Sequence, residues 1–157
     1  MRTLTLIAGA IIVQLLFVGC SSKAIKSDFE TPEGAILRLE DAYRAKDINA
    51  AVQCKDFMIE ARLMLEKVKG QKSEKNDADL ISKTAKVLEL AFRKEIEQEG
   101  FPDMKGITST FPAKEEFEKD IVIVTEVCKY PDGGNSKQRI LVAKTEKGWR
   151  VLNPVTE

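Results

Sequence analysis

The sequence predicts an α+β domain in which N-terminal helices pack on a C-terminal antiparallel sheet, preceded by a cleaved signal segment. Three observations carry that prediction. Apolar residues recur at helical spacing from Ile36 to Phe92. After Gly100 and Pro102 the period drops to two, in short runs separated by Pro131-Asp132-Gly133-Gly134-Asn135 and by Glu146-Lys147-Gly148. Ahead of both lies an almost wholly apolar stretch, Leu4 to Val18, which ends at Gly19-Cys20. Helices first and antiparallel strands last is the α+β order.

The leading stretch has one positive residue, Arg2, and an apolar core of about 15 residues, the length of a secretory signal and short of the roughly 20 that span a bilayer. A small residue followed by cysteine, Gly19-Cys20, resembles the processing site of bacterial lipoproteins. That resemblance implies that the Cys20 thiol receives a diacylglyceryl group and that cleavage frees its amine for a further acyl chain. Several chains hold a protein firmly, at about 0.8 kcal/mol per buried methylene. Ser21, where Asp would retain such a protein in the inner membrane, implies the outer membrane, facing the periplasm. The chain then divides into a signal peptide (1–19), a lipidated tether (20–30) and one domain (31–157).

Thr31-Pro32-Glu33 reads as a helix start: an N-cap, a proline at the first helical position and an acid in the first turn. Ile36, Leu39 and Tyr43 follow on one face, and the helix is expected to stop near Lys46. Asp47 is positioned to cap a short second helix through Val52. Phe57, Ala61, Met64, Leu65 and Val68 mark a third. Lys69 to Asp79 is charged and reads as an exposed loop. Leu80 to Glu99 carries two adjacent apolar rows, a face broad enough to lie against a sheet, and ends at Gly100. Ile107 to Phe111 reads as an edge strand and Ile121 to Tyr130 as a central one, apolar on both parities at its start. Arg139 to Thr145 is the return strand and Trp149 to Leu152 the last.

Composition narrows the function. The 157 residues balance 25 basic against 25 acidic side chains, so no nucleic-acid partner is expected. A hydrophobic fraction of 43% supplies enough apolar material for a real core. Histidine is absent, which excludes Ser-His-Asp and Cys-His catalysis and histidine-bound zinc. Glu115-Glu116 and the pair Glu97 and Glu99 lack metal-ligand spacing and read as solvated. No catalytic residue, metal site or cofactor is expected.

The opening Thr31-Pro32-Glu33, the junction Tyr43-Arg44-Ala45-Lys46-Asp47-Ile48-Asn49-Ala50-Ala51 and the ending Lys147-Gly148-Trp149-Arg150-Val151 resemble the nuclear transport factor 2-like, or cystatin-like cone, superfamily over roughly residues 30–154. The resemblance implies a long helix across a curved antiparallel sheet, with a conical pocket at the open end. Its members include isomerases, dehydratases, transport factors, toxin-immunity proteins and envelope lipoproteins. The expected function is therefore a lipid-anchored binding or scaffolding module for a protein partner or a small apolar ligand. A toxin-immunity lipoprotein and a histidine-free isomerase or lyase are the alternatives.

Two cysteines remain for the domain, Cys54 in the second helical region and Cys128 in the central strand. In an oxidising compartment an even pair favours a disulfide; two buried free thiols are the other possibility. If Cys128 faces the helices, alternation carries Val122, Val124, Glu126 and Tyr130 to that same face. Glu126, with Tyr130 and Tyr43, is the expected ligand-binding set.

Overall fold

The computed structural model describes residues 25–69 and 78–154. Cys20 and the signal segment lie outside the described residues, as does most of the Lys69–Asp79 stretch. Four helices, α1 (Pro32–Arg44), α2 (Ile48–Gln53), α3 (Phe57–Lys69) and α4 (Ala78–Glu99), precede four strands, β1 (Thr108–Glu118), β2 (Ile121–Lys129), β3 (Asn135–Thr145) and β4 (Gly148–Pro154). The strands form one antiparallel meander in the order β1-β2-β3-β4. The architecture is α+β, as the change of period implied. Among the described residues no helix is long and apolar enough to cross a membrane.

The helix boundaries follow from local chemistry. Thr31 Oγ1 accepts from Gly34 N at 3.0 Å, with Pro32 at the first helical position. Lys46 turns the chain with a positive φ of 54°, after which Asp47 Oδ1 accepts from Asn49 N and Ala50 N and caps α2. Asp56 does the same for α3, accepting from Ile59 N at 2.9 Å. Gly100, at φ +87°, closes α4 with its N–H on Ile96 O.

α1 is the helix that covers the sheet. Ala35, Ile36, Leu39 and Ala42 pack with Val124, Ile140, Val142 and Val151 in the main core, and Ala51 and Cys54 of the α2 region complete it. α4, which its two apolar rows had assigned to the sheet, packs chiefly on α3 instead, through Phe57, Ala61, Ala85 and Leu88. A third cluster joins Ile121, Ala143 and Leu152 of the sheet to Ile59 and Leu63 of α3. Leu80 and Val87 of α4's second row are left exposed, as is Leu90 beside them.

The end of the expected tether belongs to the fold. Phe29 O accepts from Trp149 N at 2.8 Å, the Arg150 guanidinium stacks 3.9 Å over the Phe29 ring, and Ser27 Oγ donates to Asp41 at 2.5 Å. The segment 26–30 is thereby laid between α1 and β4.

The expected Cys54–Cys128 disulfide is not formed; both are buried free thiols. The register explains why. Val151 N donates to Cys54 O, Val151 lies opposite Val142, and Val142 lies opposite Val122. Cys128 is six residues further along β2, about 20 Å at strand rise, whereas a disulfide needs its Cα atoms within about 7 Å.

Candidate ligand pocket

A cavity of about 480 Å³ lies between α1 and the β2–β3 face, flanked by the Pro102–Ile107 segment. Ile36 and Leu39 of α1, Phe92 of α4, Ile140 of β3 and Val151 and Leu152 of β4 give it apolar walls. The three residues singled out in the sequence, Glu126, Tyr130 and Tyr43, all line it.

They do so in different ways. Tyr43 projects from the apolar stripe of α1 and meets the Phe101 ring edge-on, with centroids 6.3 Å apart; burial pushes its hydroxyl up to about 12. Tyr130 sits at the exposed rim, its hydroxyl 2.9 Å from Ser136 Oγ. Glu126 is at the floor, 2% exposed. Gln138 lies opposite it in the β2–β3 register and donates through Nε2 to Glu126 Oε2 at 2.5 Å. Glu126 Oε1 has no hydrogen-bond partner among the described residues. Trp149, by contrast, packs against the main core and does not line the cavity.

Alternation along β2 places Cys128 beside Glu126 on the inward face, between Ser109 of β1 and Ser136 of β3. Cys128 Sγ is 3.6 Å from Ser109 Oγ, and burial raises its thiol pKa. Facing this pair from α1 is Glu40, which sequence reasoning passed over. It is 5% exposed, accepts from Arg44 Nη2 at 2.7 Å and accepts a short hydrogen bond from Ser109 Oγ. Burial first, then the facing Glu126 carboxyl, raises the Glu40 carboxyl from 4.5 to about 7, against the downward pull of Ser109 and Arg44. The available signal was its spacing: Glu40 is four residues after Ile36, on the same face as Leu39 and Tyr43.

Lys55, also passed over, closes the other end. Its ammonium is 2.7 Å from Glu60 and 3.2 Å from Asn153 Oδ1, and lies about 5.5 Å from the centroids of the Phe57 and Phe92 rings. The pocket thus has apolar walls, two facing carboxyls and a thiol at one end, and a paired ammonium at the other.

Comparison with protein-family models, with curated proteins and with solved structures finds no match for the chain.

Proposed function

We propose that the chain is a lipid-anchored bacterial envelope protein whose cystatin-like cone domain binds a small, largely apolar ligand. The observation that carries the reading is the cavity between α1 and the sheet. At about 480 Å³ it is within the usual size of small-molecule sites, and it follows their usual plan of apolar walls with a few convergent polar groups. Ile36, Leu39, Phe92 and Ile140 take the apolar body, and the Glu40–Glu126 end addresses a polar head. Anchoring rests on the Leu16–Cys20 stretch, and Ser21 favours the outer membrane, with the domain in the periplasm.

The short path from Cys20 to Lys26 supports the two together. Six residues reach at most about 20 Å, so the domain would stay next to the bilayer, within reach of ligands that partition into lipid.

The test is to purify the protein from membranes and release its bound small molecules. A species present in proportion to the wild-type protein and lost from Met104→Trp, which fills the pocket edge, is the expected result. Identical extracts from both would overturn the binding reading. Anchoring is checked separately by metabolic labelling with a palmitate analogue, where Cys20→Ser should abolish incorporation.

A second reading, the histidine-free isomerase or lyase, draws on one feature: Glu40 and Glu126 face each other in the pocket, as a proton donor and a proton acceptor would. Turnover of a bound small molecule, lost in Glu126→Gln, would favour it.

A further inference from the structure

We infer that Glu40, Glu126 and Cys128 form a binding site for one divalent metal ion of the zinc class, set at the polar end of the pocket. The inference goes beyond small-ligand binding and does not rest on it.

Each of the three side chains offers one ligand atom, and these atoms lie within 4.8 Å of one another. They come from two elements, α1 and β2, that the main core holds rigidly together. All three are buried, with exposures of 5%, 2% and 7% for Glu40, Glu126 and Cys128. A cluster of surface acids would be neutralised by water; this one is shielded from it.

Glu126 Oε1 is a buried carboxylate oxygen that no N–H or hydroxyl reaches; the Glu126 carboxylate faces the Glu40 carboxyl, and a proton or a cation held between the two is what satisfies it. Such an atom is costly to leave alone. Its sister oxygen is already fixed by Gln138 Nε2, so the carboxylate cannot rotate away without breaking that bond. Glu40 is likewise held from behind, by Arg44 and Ser109. Groups that orient ligands from outside are what metal sites place around their first ring of donors. Because each carboxylate oxygen has two lone pairs, those bonds leave room for a metal.

The donor set selects the ion. One sulfur and two carboxylate oxygens suit zinc or cobalt, whereas calcium and magnesium take oxygen ligands alone and more of them. Three protein ligands leave the fourth tetrahedral position toward the cavity, where a ligand's head group or water would complete it.

The experiment uses the full chain, reduced and solubilised in detergent, titrated with Co²⁺. A thiolate-to-cobalt charge-transfer band that saturates at one equivalent and is displaced by Zn²⁺ is expected. Cys128→Ser should abolish the band, Cys54→Ser should keep it, and Glu126→Gln should weaken Co²⁺ binding about tenfold or more. A measurement on the unaltered protein guards against misfolded variants: Zn²⁺ should slow alkylation of Cys128 and leave the rate at Cys54 unchanged. No saturable band, a band that survives Cys128→Ser, or equal Cys128 alkylation with and without Zn²⁺ would each overturn the site.

Discussion

Glu40 shows how one buried acid makes stability depend on pH. Its folded value is about 7 against an ordinary 4.5. Below pH 4.5 the folded and unfolded chains are both protonated there, and its contribution is intact. As pH rises from about 4.5 toward 7 the unfolded chain loses the proton that the folded chain keeps, so stability falls across that range. In the metal-free protein, denaturant unfolding at pH 4.5 and at pH 7.5 should show that decline in the wild type and a flatter response in Glu40→Gln. Parallel curves for the two proteins would refute it. At this scale the sequence was informative where a strand's alternation applies: it placed Glu126 and Cys128 on one inward face. It misled on the disulfide, because pairing two cysteines needs a distance that only the register of β2, β3 and β4 supplies. It was silent on Glu40, because a charged residue on an apolar stripe reads as a solvated edge until a second carboxyl and a serine are known to face it.

Among the elements, the glycines with positive φ distinguish a turn from a close approach. Gly133 in the β2–β3 loop has φ +89° and open space where a Cβ would go. Gly148 at the start of β4 has φ +92°, and a Cβ there would lie 2.4 Å from Phe29 O. Gly133→Ala should therefore cost about 1–2 kcal/mol, the left-handed penalty alone. Gly148→Ala should exceed it by about 1 kcal/mol or more, because the segment 26–30 must also move off β4. Equal losses in denaturant unfolding would mean that Phe29 is not held against β4. Helix starts were legible here because Thr31 and Asp47 cap through their own side chains. The partner of α4 was not legible, since an apolar face says that a helix is covered and not by what. The sequence marks β1 only as far as Phe111, yet it runs to Glu118, because an edge strand bearing Glu115 and Glu116 on exposed positions and Glu118 on a half-buried one lacks the apolar alternation that marks a strand.

On the scale of the whole molecule, two packed groups meet: α1 on the sheet, and α3 against α4. Beyond the α3 cluster with Ile121, Ala143 and Leu152, they are joined at Cys54–Asp56. There Val151 N donates to Cys54 O and Asp56 N donates to Val151 O, a short parallel bridge to β4. The Lys55 side chain continues the junction inward to Glu60 of α3 and Asn153 of β4, with both charged groups only 5% exposed. A buried ion pair adds little net stability, but removing one partner leaves a charge that water cannot reach, at about 3–5 kcal/mol. Lys55→Met and Glu60→Leu should each be destabilising by about that much, and the double variant should recover most of the loss. Burial raises the Glu60 pKa, opposed by Lys55, so without Lys55 the carboxyl takes a proton more readily. The Lys55→Met penalty should accordingly be smaller in acid than near neutrality, whereas Glu60→Leu, which strands the ammonium, gains no such relief. A double-mutant cycle by denaturant unfolding at both pH values reads all of this. Additive losses would show that Lys55 and Glu60 stabilise their own elements independently, and that the junction between the two groups is carried by the Cys54–Asp56 backbone and the Ile121–Leu152 cluster alone.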